Sequence, residues 1–321
     1  MKKYFISFSL FAALCSCSTD EIPEQPANEP KVYEVSLGLA GEITSITESP
    51  ITKAAPNDLY GIQVYSAPDS SGMENYSNYA YGIYDDLSSA KIKLLEGYKY
   101  KFECTMVVDG KSRIYGYNNG TYFVYHEPFW VNNVGPGEVK NAFTYSVWNT
   151  ISNINNGSTV LVNADNTTKW YNRPNTDRYI GVTSGFVPTG SNSVSINMKR
   201  AIFGVRFIAE GLTSGKLKIE MDQAPGMELT PENLQVEDIF TFYYLYNIYN
   251  NDTYSEDVQV AINWQQNDST TVPLASQYIK FKRNTRTTIK VKVADLADQK
   301  SVSLNFENTP IAEGDSISFN Y

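Results

Sequence analysis

After residue 31 the chain alternates between apolar and polar positions with a period of two. The clearest run covers residues 98–106, in which every second residue is aromatic, apolar or cysteine. Comparable runs recur along the chain, at 35–39, 194–198, 217–221, 258–262, 289–293, 302–306 and 317–321. This alternation is typical of strands with one buried and one solvent-facing side. It predicts an all-β fold in which antiparallel sheets stack as sandwiches.

Two strand–turn–strand segments echo each other and predict two related domains. Residues 91–102 form an expected hairpin with Glu96 and Gly97 at its turn, and residues 278–291 form a second one around Arg283 and Asn284. A Pro-Thr-Gly sequence at 188–190 comes just before a new strand pattern. We therefore expect an N-terminal β-sandwich domain over residues 32–187 and a C-terminal one over 188–321.

Helical patterns are scarce, and we expect one or two short helices. Five apolar residues fall on one helical stripe that ends at a Gly-containing stop, namely Val139, Phe143, Val147, Ile151 and Ile154. Residues 239–249 are apolar and aromatic throughout, so that their periodicity fits a strand and a helix equally well.

Composition removes several classes of function. The net charge of -9 argues against a nucleic-acid-binding surface. The single histidine, His126, leaves little basis for histidine-centred catalysis or zinc binding. No Walker loop, GxGxxG, GxSxG or HExxH sequence is present. We assign no catalytic residue, no cofactor and no metal ligand, and we predict that the protein is not an enzyme.

The N-terminus looks like a lipoprotein signal. Lys2 and Lys3 precede a short apolar run that ends in Leu14-Cys15-Ser16-Cys17. This resembles a bacterial lipobox, with Leu14 three places before Cys17 and the small Ser16 directly before it. We predict a signal peptide over 1–16, acylation of Cys17 and a proline-rich tether over 17–31. Each buried CH₂ of an acyl chain contributes about 0.8 kcal/mol, which would hold the protein at the outer membrane. Asp20 and Glu21 resemble a surface-export signal of bacteroidete lipoproteins, or form a solvated acidic linker.

The remaining cysteine and the aromatic residues allow two interpretations. Cys104 lies on the apolar side of its strand and is expected to fill the core. The chain contains 24 tyrosines and 4 tryptophans, and exposed aromatic rings could stack on sugars. Trp130 and Trp170 are the candidate glycan contacts, with Trp148 and Tyr171 in the same half of the chain. Packing on pleated sheets and at subunit contacts is the other explanation of such residues.

The layout resembles the fimbrillin family of bacteroidete type V pilus lipoproteins. The similarity is carried by the lipobox at 14–17, the strand at 58–65, the end of the first hairpin at 97–102 and the segment 195–207, which has an Arg200-Ala201 step between two strands. The resemblance implies two transthyretin-like β-sandwich domains and a non-catalytic subunit at the cell surface or in a fimbrium. The implied partners are other pilin subunits, the outer-membrane lipid attached to Cys17, and a surface receptor or glycan.

The resemblance also implies assembly by donor-strand exchange. Family stalk subunits are cleaved after a basic residue, which removes the first strand, and the vacated groove accepts a C-terminal strand of a neighbour. Here the first strand would be 32–39 and the cut would separate Lys53 from Ala54, although the family usually has arginine at this point. The donor would be residues 317–321 or 302–306. Asp268-Ser269-Thr270 matches the O-glycosylation pattern of bacteroidete secreted proteins, so that Ser269 is a candidate glycosylation site. The alternative function is a glycan-binding surface lipoprotein of a polysaccharide-uptake system.

Overall fold

The fold is nearly all β. The computed structural model describes residues 30–41, 57–72, 75–88, 90–118, 120, 123–162, 166–190, 193–293 and 303–311. The elements of the first half are β1 (Val32–Gly41), β2 (Leu59–Pro68), β3 (Ser77–Tyr84), β4 (Lys91–Leu95), β5 (Tyr98–Val107), α1 (Gly110–Arg113), β6 (Gly116–Asn118), β7 (Phe123–Val131), β8 (Gly135–Glu138), β9 (Thr144–Tyr145), β10 (Thr159–Val162), β11 (Thr168–Tyr171), β12 (Arg178–Phe186) and β13 (Ser193–Arg200). Those of the second half are β14 (Ile202–Glu210), β15 (Lys216–Met221), β16 (Met227–Leu229), β17 (Gln235–Thr241), α2 (Tyr246–Tyr249), β18 (Ser255–Asn267), β19 (Thr270–Lys282), β20 (Thr285–Lys292) and β21 (Ser303–Pro310).

The first half is built on one curled sheet. Eight strands follow each other in the order β4-β1-β13-β12-β5-β2-β3-β9, and a three-stranded sheet, β6-β7-β8, and the β10-β11 hairpin pack beside it. Alternation along the strands points one set of side chains inward, most cleanly in β13, where every second residue is buried. Val35, Ile62, Phe102 and Ile196 are all fully buried in the core of this sheet. A smaller cluster around Phe129 lies beneath the additional strands.

The second half is a sandwich of two four-stranded sheets. One sheet has the order β17-β14-β20-β21 and the other β16-β15-β18-β19. Phe203 lies at the centre of their shared core, with ring centroids 4.7 Å from Phe281, 4.9 Å from Phe242 and 5.7 Å from Phe240. Ile180 of β12 belongs to the same core, so that the second core extends into the first half.

The strand patterns that fall on described residues are confirmed, but the pairing of both predicted hairpins is wrong. The turns lie at Glu96-Gly97 and Arg283-Asn284, as expected. However, β4 pairs with β1 while β5 pairs with β2 and β12. Likewise β19 pairs with β18 while β20 pairs with β14 and β21. Each turn therefore leads into a strand that has other neighbours, and alternation alone carries no information about which strand lies next to which.

The helix predicted over 139–154 is wrong. The segment consists of turns and the short strand β9, and the helices of the described chain are the one-turn α1 and α2. Asn141 adopts a left-handed backbone conformation with φ of 51°, which interrupts any helix. Its side-chain oxygen accepts hydrogen bonds from the amides of Asp85 and Asp86. Val147, one member of the stripe, is exposed. The ambiguous 239–249 segment contains the end of β17 and α2.

The change from one half to the other comes at Ala201. β13 belongs to the first sheet and β14 to the second, with Arg200-Ala201 between them. The boundary proposed at 187–188 lies instead between β12 and β13, two neighbours in one sheet. Among the described residues, no helix is long and apolar enough to cross a membrane.

Candidate functional site

The slot that holds β1 is the candidate functional site. β1 lies between two strands that are not neighbours of each other: it runs parallel to β13 and antiparallel to β4. The parallel ladder joins Ser36–Gly41 to Ser193–Met198, and the antiparallel ladder joins Val32–Ser36 to Lys91–Leu95. The two ladders meet at Ser36, so that β4 borders the first half of β1 and β13 borders its second half.

The side chains of β1 fit this slot through its alternation. Val35 is fully buried in the first core, and Tyr33, Leu37 and Leu39 pack against the same core while remaining half-buried. The intervening residues Glu34, Ser36 and Gly38 face solvent. Any strand that replaced β1 would therefore need apolar residues at alternate positions, since these fill the inward-facing sites.

Polar contacts extend the fit of β1 against β4. The amide of Leu37 donates to the carbonyl of Ala90 at 3.0 Å, and the amide of Glu96 donates to the carbonyl of Lys31 at 2.8 Å. Lys91 forms an ion pair of 3.1 Å with Glu34 on the exposed side, where such pairs contribute little. Backbone pairing and the buried Val35 thus hold β1 in place, rather than charge.

The connection of β1 to the rest of the chain runs through residues 42–56. These residues, with Lys53 and Ala54 among them, lie outside the described residues, as do Cys17 and the whole of 1–29. β2 begins only at Leu59, after this segment. A single cut between Lys53 and Ala54 would consequently separate all of β1 from an otherwise continuous fold.

One of the two candidate donor segments is already used within the chain. β21, which contains residues 303–306, pairs with β20 along its whole length, from Lys292–Ser303 to Thr285–Pro310. Its Leu304 packs against the second core, whereas Phe306 is 44% exposed. The other candidate, 317–321, lies outside the described residues.

The tryptophans predicted as sugar contacts lie on two different small sheets, β6-β7-β8 and β10-β11. Trp130 is half-buried in β7, and Trp170 on β11 donates its ring N–H to the Asn172 oxygen at 3.1 Å. Trp148 is more exposed than either of them, with 80% of its surface accessible to solvent. Exposure of one ring depends on how the loops pack, and the sequence carries no local signal for it.

The remaining cysteine, the acidic residue Asp85 and the predicted glycosylation site Ser269 all lie in the described part of the chain. Cys104 is fully buried, as predicted, and burial raises the pKa of its thiol. Burial opposes ionisation of Asp85, but Lys111 at 2.7 Å and the Asn141 amide outweigh it and hold the pKa of that carboxyl below its ordinary value.

Ser269 is exposed at the tip of the β18–β19 hairpin, and its glycosylation stays a prediction. The His126 side chain lies outside the described residues.

Comparison with known proteins finds similarity only among solved structures. No protein-family model and no curated protein matches the chain. The fimbrial anchor protein Mfa2 from Porphyromonas gingivalis is 6% identical, with 87% of this chain and 98% of that chain covered and a TM-score of 0.37. The tip fimbrial protein Mfa3 from the same organism, with a C-terminal truncation, is 9% identical over 87% and 100%, with a TM-score of 0.34. A fimbrial assembly protein from Parabacteroides distasonis is 10% identical over 87% and 97%, with a TM-score of 0.38. Sequence identities of 6–10% and TM-scores of 0.34–0.38 say nothing about the function of this chain.

Proposed function

We propose that this chain is a non-catalytic subunit of a surface fibre that assembles by donor-strand exchange. The observation that carries the proposal is the position of β1, inserted between β13 and β4 and joined to the remaining chain by a segment that one cut would sever. Removing β1 would expose two unpaired strand edges and the inward-facing sites that Val35 and its neighbours fill. Unpaired edges of this kind pair readily with a strand from another chain.

The proposed role of acylation at Cys17 is to anchor the precursor until it is processed. An acylated Cys17 would hold the precursor at the outer membrane while β1 still fills the slot, which keeps the subunit from pairing too early. A cut between Lys53 and Ala54 would remove the lipid and β1 together. Release from the membrane and readiness to polymerise would then follow from one event.

The processing step is tested on protein taken from the native cell surface. We expect intact mass and N-terminal sequencing to find a chain that begins at Ala54. In Lys53→Ala, the acylated form that begins at Cys17 should persist, and oligomers that resist mild denaturant should be lost. Native surface protein that begins at lipidated Cys17, with no form beginning at Ala54, would overturn the role as a polymerising subunit.

We propose residues 317–321 as the donor strand. Residues 302–306 overlap β21, so that their donation would require breaking the ladder with β20. Residues 317–321 do not overlap it, and they place Ile317, Phe319 and Tyr321 at alternate positions. This spacing matches the inward series of β1. Cross-linking of assembled fibres should join 317–321 to β4 or β13 of the next subunit, and cross-links from 302–306 instead would reject this choice.

Glycan binding is the second candidate function, and the geometry around Trp148 favours it. The amides of Trp148 and Asn149 both donate to the Ser146 hydroxyl, at 3.2 and 3.0 Å, and the Trp148 carbonyl accepts a bond from the Asn133 side chain at 3.4 Å. The loop backbone is thus held while the ring stays bare. Such a ring can pack on the C–H face of a sugar.

A glycan array with the protein separates this function from pure assembly. We expect any micromolar binding to fall at least about 10-fold in Trp148→Ala, which corresponds to about 1.4 kcal/mol. Tyr278→Ala is the matched control, since that ring is 71% exposed but lies on β19 in the second half of the chain. Binding that is unchanged in Trp148→Ala, or no binding to any glycan, would reject the sugar-binding role.

A further inference from the structure

β4 joins the eight-stranded sheet through β1. It stands at the end of the eight-stranded sheet, and β1 is its one hydrogen-bonded strand neighbour in the described part of the chain. In an antiparallel ladder, successive residues direct their backbone groups to opposite edges. One edge of β4 therefore faces β1, and the other faces away from the sheet.

Tyrosine hydroxyls bind that outward edge. The Tyr79 hydroxyl donates to the carbonyl of Lys93 at 2.7 Å, and the amide of Lys93 donates to the Tyr145 hydroxyl at 2.9 Å. The amide of Leu95 donates to the Tyr100 hydroxyl at 2.7 Å, and this hydroxyl donates to the Leu95 carbonyl at 3.2 Å. Three side chains thus satisfy the backbone groups of Lys93 and Leu95 that a neighbouring strand would otherwise pair.

These three residues form one packed unit, which we call the tyrosine cluster (Tyr79, Tyr100 and Tyr145). The Tyr79 ring packs edge-on against Tyr100 at 5.1 Å and against Tyr145 at 5.6 Å. Tyr79 and Tyr145 come from β3 and β9, at the opposite end of the sheet, and Tyr100 comes from β5. The cluster therefore joins the two ends of the curled sheet without using any atom of β1.

The cluster keeps its donors over a wide pH range. Burial raises the pKa of the Tyr79 and Tyr100 hydroxyls above the ordinary value. Both hydroxyls stay protonated at neutral pH and continue to donate to the β4 carbonyls. The attachment also rests on the burial of Ile92 and Leu94, which anchor β4 in the first core.

We propose that the tyrosine cluster holds β4 in place when β1 is absent, and so keeps the slot between β4 and β13 open for an incoming strand. This inference rests on the proposed donor-strand function and assigns Tyr79, Tyr100 and Tyr145 as positioning residues for it. Without the cluster, β4 could shift along the slot and pair with β13, because both strands would present unpaired edges. That movement would close the slot, whereas a fixed β4 leaves it ready for a strand with alternating apolar residues.

The test uses the full chain, folded with β1 in place. A site-specific protease sequence is placed in the segment 42–56, and the folded protein is cut there and mixed with a labelled peptide of residues 32–41. Capture of the peptide is compared among the parent, Tyr79→Phe/Tyr145→Phe and Tyr65→Phe. The last is the matched control, since Tyr65 donates a hydroxyl bond to Glu103 at 3.1 Å on the same sheet, away from β4.

We expect the double variant to capture the peptide at least about 10-fold more slowly than the parent and Tyr65→Phe. Deuterium exchange over residues 91–97, after cutting and removal of the β1 segment, is the second measurement. The parent should keep Lys93 and Leu95 protected, and the double variant should lose this protection even if its uncut form melts at the same temperature as the parent.

The outcomes distinguish the role of the tyrosine cluster from donor-strand exchange itself. Equal capture by the double variant and the parent overturns the role of the cluster and leaves donor-strand exchange standing. Rapid exchange of the Lys93 and Leu95 amides in the cut parent does the same. A cut parent that captures no peptide at all rejects the donor-strand function, and the role of the cluster falls with it.

Discussion

Removal of β1 is expected to cost the subunit much of its stability, on the order of 5 kcal/mol. Full burial of a residue such as Val35 contributes roughly 1.5–3 kcal/mol, and the half-buried Tyr33, Leu37 and Leu39 add to it. The lost ladders to β13 and β4 contribute further, at about 1 kcal/mol net for each hydrogen bond. Domains of this kind are stable by roughly 5–15 kcal/mol, so a subunit without β1 should be close to unfolding.

The measurement is denaturant unfolding of the full chain and of a chain that begins at Ala54. The shorter chain should unfold at a much lower denaturant concentration, and a saturating peptide of residues 32–41 should restore part of the difference, because it binds the folded state alone. The same peptide with Val35→Asp is the control and should restore none, since position 35 is fully buried. Equal stability of the two chains would mean that β1 is dispensable, against the proposed mechanism.

Gly157→Ala is expected to destabilise the protein by about 2–3 kcal/mol through the junction of its two halves. The amide of Gly157 donates to the carbonyl of Tyr243 at 2.8 Å, across the junction. A Cβ at this position would lie 2.1 Å from the carbonyl oxygen of Phe242 and 2.9 Å from the Thr241 methyl group. Backbone atoms cannot rotate away as a side chain can, so the two halves would have to separate locally.

Thermal and denaturant unfolding of Gly157→Ala measures this effect. The matched control is Gly72→Ala, because a Cβ at Gly72 meets no atom within 4 Å. We expect the control to change stability by less than about 0.5 kcal/mol, as is usual for surface substitutions. If the two variants were equally stable, the junction would have room to adjust, and the close packing at Gly157 would not couple the halves.

Further contacts show why the junction should respond as one unit. Arg173, which is buried, donates to the Asp222 carbonyl at 2.9 Å and forms an ion pair with Glu256. The Thr241 hydroxyl donates to the Thr176 carbonyl at 2.7 Å, and Lys199 pairs with Asp252 at 2.7 Å. These bonds join residues of the first half to residues of the second, so that displacement at Gly157 would disturb neighbouring polar groups that are partly removed from water.

The helix predicted over 139–154 is wrong because the spacing of its apolar residues is not unique to helices. Apolar residues spaced by three or four positions fit a helix, but they also occur in loops that bury isolated residues. Ile151 and Ile154 do reach a core, through a loop whose Ile151 amide donates to the buried Gln63 side chain at 3.0 Å. This anchor comes from β2, far away in the chain, and no local pattern predicts it.

By itself the sequence determined the class of fold and the faces of the strands. A strand points alternate side chains to opposite sides, so the apolar positions of β1, β5 and β13 could be read locally, as could the turns at Gly97 and Asn284. Only the tertiary structure decided which strands are neighbours. β1 lies beside β13, which comes more than a hundred residues later, and the tyrosine cluster closes the far edge of β4. Pairing of this kind depends on the summed burial and hydrogen bonding of distant segments, which no short stretch of sequence encodes.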